Sequence, residues 1–306
     1  MSDVTARLVD DEQRERLVRR FGGKACDWLD GLPALVDEFA AEWKLTIDGP
    51  TPHGQTSVVL RCRRVDGTAA MLKISPDPGL AASEARILRL WEDTRRVPAV
   101  WESDRRLGGL LLEAIEPGRT VSQIGEVPPM ETIAELIQDL HSADIPQREL
   151  RELHPLHSRI NFVFSLWEHY RSDGPAADVV PASVLHHAHA RARALAASED
   201  NVAPLHGDLH PGNVLDGGPD RGLVAVDPRA CVGDAAADAV DWPLWKAESV
   251  TEIERRAGIL APAIGSSPER LLDWCRACAP MFAIAMANRG ETDRPEYAVL
   301  TEFAGC

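Results

Sequence analysis

A chain of 306 residues, 44% hydrophobic and 26% charged, is long enough for two packed cores and too evenly mixed to be fibrous or disordered. Its formal net charge of −15 argues against nucleic acid as a partner, because such binding is dominated by cationic contacts to phosphate. The same charge is compatible with a small cationic or polyhydroxylated substrate, a cationic one being concentrated by a cleft of opposite sign, and equally with an acidic balance that only aids solubility.

The chain opens with Met1-Ser2-Asp3-Val4-Thr5-Ala6-Arg7, without the apolar core of a secretory leader. The longest apolar run, Ala279 to Ala287, falls short of the roughly 20 residues that span a bilayer. A cytoplasmic protein with no membrane partner is therefore expected. Arg14 to Trp43 reads as amphipathic helix, broken at Gly22-Gly23 and again at Gly31-Leu32-Pro33. A strand is predicted over Ser57–Val65, a turn at Asp66-Gly67-Thr68 and a returning strand over Ala69–Ile74. A helix follows over Leu80–Asp93, then strands near Ala99–Glu102 and Gly109–Glu113, and a break at Pro117-Gly118. Beyond Val121 the pattern is helical over Met130–Ala143, Ile160–Arg171, Ser183–Ser198, Trp242–Glu248, Thr251–Leu260 and Pro268–Arg289. The one exception is a short hairpin, Asn213–Leu215 with Gly222–Asp227.

This order predicts an α+β, protein-kinase-like bilobal fold. A small N-terminal mixed β lobe takes residues 1–115, and a larger, mainly helical lobe takes 116–306. The active site is expected between the lobes. Six scattered cysteines in a long chain argue against a disulfide framework. Cys275 and Cys278 have CxxC spacing but lie in a helical pattern, so buried thiols on one helix face are expected. His186, His187 and His189 share a helix in which no two of them meet on one face with a third ligand nearby, and they read as structure. Trp242 and Trp245, three apart, suit core packing.

The densest chemistry lies in Leu205-His206-Gly207-Asp208-Leu209-His210-Pro211-Gly212-Asn213-Val214-Leu215. Asp208 and Asn213 stand five residues apart, and Asp227 ends the apolar run Leu223–Val226. Phosphoryl transfer from ATP needs a carboxylate to accept the proton of an attacking hydroxyl. It also needs an amide and a second carboxylate to hold Mg2+. The protein-kinase catalytic loop spaces its Asp and Asn in the same way. Alone, such a spacing marks an ordinary turn; the flanking His206, His210 and Pro211-Gly212, between apolar strands, make it specific. Asp208 is thus the candidate base, and Asn213 and Asp227 are the candidate metal ligands.

Lys73, between Leu72 and Ile74 on a predicted strand, is the sole lysine between Lys44 and Lys246. It is the candidate phosphate-binding residue, with Glu84 in the following helix as its partner. No G-x-G-x-x-G run is present; His53-Gly54-Gln55-Thr56-Ser57 is the best nucleotide loop, Gly54, Thr56 and Ser57 supplying small side chains and free amides. An ordinary hairpin turn is the competing reading of that loop. Glu113-Ala114-Ile115 falls where the lobes should join, so the backbone of Glu113 and Ile115 is expected to face adenine.

Together these residues resemble the aminoglycoside phosphotransferases of the kinase-like superfamily, in particular the streptomycin 6-kinase and hydroxyurea kinase group. Trp28–Val36, Leu110–Thr120, Leu140-His141, Leu205–Leu215, Ala225–Arg229, Val232–Asp234 and Asp238 carry the likeness. The resemblance implies an ATP- and Mg2+-dependent kinase that phosphorylates a hydroxyl of an antibiotic and so confers resistance. It gives Asp208, Asn213, Asp227, Lys73 and Glu84 the roles assigned above. Asp234, Asp238, Asp241, Glu248 and Glu291 are candidates to meet a cationic drug; Asp234 and Asp238, the latter above all, are also candidate braces for the catalytic loop. The alternatives are a kinase of hydroxyurea or another small hydroxylated compound, and a catalytically inactive nucleotide-binding protein of the same fold.

Overall fold

The computed structural model describes residues 8–51, 56–198 and 201–305. Among them the chain divides into two compact units, the first running to Glu92 and resuming over Val97–Gly118, the second taking Asp93–Arg96 and everything from Arg119.

In the first unit, α1 (Asp11–Phe21) and α2 (Lys24–Glu42) precede β1 (Thr46–Pro50), β2 (Val58–Arg63) and β3 (Ala69–Ile74). Then come α3 (Pro78–Leu90), β4 (Val100–Asp104) and β5 (Gly109–Glu113). The strands form one antiparallel sheet in the order β1-β2-β3-β5-β4. Alternation along β3 sends Leu72 and Ile74 into a core with Leu60 of β2 and with Leu29, Leu32, Val36 and Phe39 of α2. Lys73 therefore faces the other side of the sheet. The break expected at Gly31-Leu32-Pro33 does not occur, and α2 runs through Pro33. Pro33 removes one backbone donor. Ala25, Leu29, Leu32, Val36 and Phe39 nevertheless form one continuous buried stripe on either side of it, and packing of that stripe outweighs the lost bond. Gly109 lets β5 approach α2, because a Cβ there would collide with the Phe39 ring.

The second unit holds α4 (Val121–Ile124), α5 (Met130–His141), α6 (Gln147–Leu150), β6 (His154–Pro155), α7 (Leu156–Ser172) and α8 (Ala182–Ala197). The strands β7 (Val202–Leu205), β8 (Val214–Asp216), β9 (Leu223–Ala225) and β10 (Cys231–Asp234) follow. The unit ends with α9 (Asp241–Leu244), α10 (Val250–Ala263), α11 (Pro268–Asn288) and α12 (Pro295–Ala304). The segment Asp93–Arg96 belongs here because Arg96 donates from Nε to Asp139 of α5 at 2.7 Å, and its carbonyl receives Ala225 N–H at 2.7 Å. α11 is the spine of the unit, burying Trp274, Cys275, Ala277, Ile284 and Ala287. The expected hairpin is β8–β9, with Val214 opposite Ala225. A second sheet, β6-β10-β7, was not expected. Its strands have two to four residues, and β10 contains Gly233 and Asp234, which are poor strand formers. The helix expected over Trp242–Glu248 shrinks to α9, and α12 adds a helix beyond those anticipated. No helix of the described residues is long and apolar enough to cross a membrane.

Candidate active site

In the first unit the register places Val59 of β2 opposite Lys73, and α3 begins after Asp77, whose carboxylate caps Gly79 and Leu80. One and a half turns on, Glu84 meets Lys73. Nζ lies 2.7 Å from each carboxylate oxygen, with the side chains 8% and 3% exposed. An ion pair so far from water persists only with tight geometry, and a cation held this way keeps its charge and its aim. Ser57 is fully buried, and its Oγ has no hydrogen-bond partner among the described residues. Thr56 is also buried and lends its carbonyl to Ser75 Oγ at 3.1 Å. Gly54 lies outside the described residues. Ile115 is buried, while Glu113 accepts Ala99 N–H at 3.1 Å through its carboxylate.

In the second unit the loop joining β7 to β8 carries Asp208 and Asn213. Asp238 builds it from beneath. This carboxylate is 4% exposed, accepts His206 N–H at 2.6 Å and Gly207 N–H at 2.8 Å, and has His141 Nε2 at 3.1 Å. Burial alone would raise its pKa. The His141 hydrogen bond, the nearby imidazoles and the Gly207 amide outweigh that and hold it below the usual carboxylate value. Gly207 has φ +75°, and a Cβ would collide with the Arg229 carbonyl, so only glycine suits the turn that lifts Asp208 out. Fully buried His206 receives Asp208 N–H on Nδ1 at 3.3 Å and donates from Nε2 to the Val226 carbonyl at 3.1 Å. Burial lowers its pKa, which fits this neutral tautomer.

Asp208 is 36% exposed along its side chain. Its Oδ1 accepts Arg159 Nη2 at 2.8 Å, while among the described residues Oδ2 has only the long 3.4 Å contact from Asn213 Nδ2. Asn213 Nδ2 also donates to the Asp208 carbonyl at 3.0 Å, which turns the amide oxygen away from the loop. The Asn213 carbonyl accepts Val226 N–H at 2.9 Å. Asn213 thus enters β8 where Val226-Asp227 leaves β9, at one end of the hairpin. Asp227 has φ +63°, a left-handed conformation that Asp tolerates and that collects at functional sites. Its Oδ1 lies 3.6 Å from Arg229 Nη2. Within this unit Asn213 is thus bonded to Asp208 through its side chain and to the residue preceding Asp227 through its backbone.

The five carboxylates expected to meet a cationic substrate fare differently. Asp234 is fully buried, accepting Arg270 Nε at 2.7 Å, Trp274 Nε1 at 2.6 Å and Ala236 N–H at 3.1 Å. These contacts tie the end of β10 to α11. Asp238 is engaged by the His206 and Gly207 amides of the β7–β8 loop. Glu291 is engaged by Arg289 at 2.7 Å and Arg294 at 3.8 Å. Glu248 is exposed ahead of α10. Asp241 is half-buried at the start of α9, and burial pushes its pKa up to about 6; Asp208 and Asp238 add to the rise and His210 opposes it. Arg159 and Arg229, both in contact with site residues, were not foreseen. Arg159 lies 49 positions from Asp208 in a helix whose local pattern gives no hint of the contact.

Comparison with solved structures defines the class. Choline kinase LicA from Streptococcus pneumoniae superposes with a TM-score of 0.59 at 15% identity, covering 90% of this chain and 99% of that one. The architecture is accordingly an α+β, protein-kinase-like fold. Residues 42–290 match the family model of aminoglycoside/hydroxyurea antibiotic resistance kinases, and the chain belongs to that family. The hydroxyurea phosphotransferase of Kitasatospora aureofaciens is 32% identical over 97% of this chain and 84% of its own length. The streptomycin 6-kinase of Streptomyces glaucescens is 31% identical over 88% of each.

Proposed function

We propose that the protein transfers the γ-phosphoryl group of ATP to a hydroxyl of an aminoglycoside-type antibiotic, inactivating it in the cytoplasm, where ATP is supplied. The observation that carries this reading is Asp208, with one carboxylate oxygen engaged by Arg159 and the other nearly free, set beside Asn213 and Asp227. The hydroxyl oxygen bonds to the γ-phosphorus as the bond to the bridging oxygen breaks. ADP leaves, and the hydroxyl proton passes to Asp208 Oδ2. A carboxylate is a weak base toward an alcohol, so its contribution is orientation and late proton acceptance.

Lys73, held by Glu84, binds the nucleotide phosphates as a fixed cation, and the buried Ser57 hydroxyl lies in the segment proposed to cover them. Thr56 belongs to the same segment, and the backbone of Glu113 and Ile115 is proposed to meet the adenine. Asn213 fits Mg2+ because its amide hydrogens are committed to Asp208, which leaves its side-chain oxygen as the available donor; Asp227 supplies the carboxylate. Held by these two residues, Mg2+ would supply charge that offsets the phosphates. Asp241 supports contact with a substrate cation: it is half-buried close to Asp208, and an ammonium or guanidinium beside it would bring its raised pKa down. Glu248 is the second candidate.

A hydroxyurea-type acceptor is the second reading, favoured by the 32% identity over 97% of the chain and by the burial of Asp234 and Asp238 among protein partners. Transfer of labelled γ-phosphate to streptomycin, hydroxyurea and a panel of hydroxylated antibiotics tests both. A phosphorylated aminoglycoside supports the first reading. Labelling of hydroxyurea alone replaces it with the second, and no transfer to any acceptor removes both.

A further inference from the structure

We propose that Arg159 is a positioning residue that selects which oxygen of Asp208 receives the substrate proton. This inference rests on the assignment of Asp208 as the base.

The placement of Arg159 is built into the fold. β6 pairs in parallel with β10, Cys231 standing opposite His154. α7 starts at the next residue, Leu156, and Gly233 of β10 lacks the Cβ that would collide with the Leu156 side chain. The first turn of α7 is thereby locked to the strand that follows Asp227. Arg159 leaves that turn and reaches the catalytic loop with two nitrogens. Nε donates to the Gly207 carbonyl at 2.9 Å, and Nη2 donates to Asp208 Oδ1 at 2.8 Å. The Gly207 N–H is held by Asp238 at 2.8 Å. One residue of the loop is thus clamped through its N–H by a carboxylate and through its C=O by a guanidinium.

The Asp208 carboxylate can rotate about its own bond, and among the described residues the Arg159 contact is the one that distinguishes its two oxygens strongly. With Oδ1 occupied, Oδ2 is left for the hydroxyl, its sole hydrogen-bond contact among the described residues being the 3.4 Å one from Asn213. A rigid planar fork can bond a carbonyl and a carboxylate at once; a lysine ammonium reaches one or the other. A misplacement of about 1 Å at a reacting group can cost on the order of a hundredfold in rate.

The test is steady-state kinetics of Arg159→Ala and Arg159→Lys with the best acceptor, beside Asp208→Ala. Arg159→Ala should lose on the order of thirtyfold in kcat with KM for ATP within about twofold, because positioning affects the transfer step rather than nucleotide binding. Addition of about 20 mM guanidinium chloride, far below denaturing concentration, should restore at least a tenth of the lost kcat, a rescue that a merely structural role would not show. Arg159→Lys should fold and lose several-fold in kcat; it decides the matter if the alanine variant fails to fold. Unchanged kcat in the folded lysine or alanine variant overturns the proposal, as does a loss that guanidinium does not rescue. If Asp208→Ala retains normal turnover, the base assignment itself fails, which is distinct from an active-site loss confined to Asp208.

Discussion

Two ion pairs, one in each unit, show how differently the same chemistry can be used. Lys73–Glu84 is saturated: both carboxylate oxygens lie 2.7 Å from one ammonium, with the side chains 8% and 3% exposed. Arg159–Asp208 is deliberately half-made: one oxygen is engaged, and the carboxylate remains 36% exposed. The first geometry preserves a charge and its aim, which suits a phosphate-binding cation. The second fixes a carboxylate while leaving it a lone pair to use, which suits a base. A buried pair breaks at high cost, whereas an open one can be removed with little loss of stability but great loss of chemistry.

Breaking the saturated pair should give the largest combined effect. Lys73→Met is expected to lower kcat/KM for ATP by at least a hundredfold and to destabilise the protein by about 3 kcal/mol, because Glu84 stays buried without its cation. Kinetics and denaturant unfolding check the two parts separately. Equal loss in Lys73→Met and Glu84→Gln would show that the pair acts as a unit.

The loop under Asp208 comes next. Asp238→Asn keeps the shape of the side chain but replaces one acceptor oxygen by a donor facing a backbone N–H. It should cost about 2 kcal/mol in unfolding free energy and lower kcat by about tenfold, through displacement of Gly207 and Asp208. Retention of wild-type kcat would show that the loop holds itself.

The smallest effect concerns His206. Burial depresses its native pKa below the usual 6.5, so below that pH the unfolded chain binds a proton that the native one does not. The stabilising contribution is therefore whole above about pH 6.5 and declines as pH falls, by at most about 1.4 kcal/mol per pH unit. His206→Gln should flatten the stability curve between pH 6 and pH 5; an unchanged slope would show that other groups set it.

The hairpin beside the candidate site was legible because its signals are local. Pro211-Gly212 and the apolar runs around Asn213 and Asp227 dictate turn and strands within a few residues. The Asp66-Gly67 turn and the Lys73 strand were readable for the same reason. The β6-β10-β7 sheet was not, because its pairings join residues far apart in sequence and its strands are too short to show a period. Pro33 misled, since a proline's local preference cannot reveal the buried stripe that carries α2 past it. The carboxylates teach the same point at the site. Asp234 and Asp241 look alike in the sequence, yet Arg270 and Trp274 claim one, while the other stands half-buried at the start of α9. Only packing tells them apart. Arg159 was invisible because nothing in α7 announces a contact with a loop 49 positions away.

The direct test of the whole account is phosphoryl transfer by Asp208→Ala, measured as labelled acceptor formed from ATP, alongside nucleotide binding by the same variant. Turnover should fall at least a hundredfold with ATP affinity retained, since the side chain serves the acceptor hydroxyl rather than the nucleotide. Near-normal turnover in that variant would contradict the role given to Asp208 and, with it, the mechanism built around the loop.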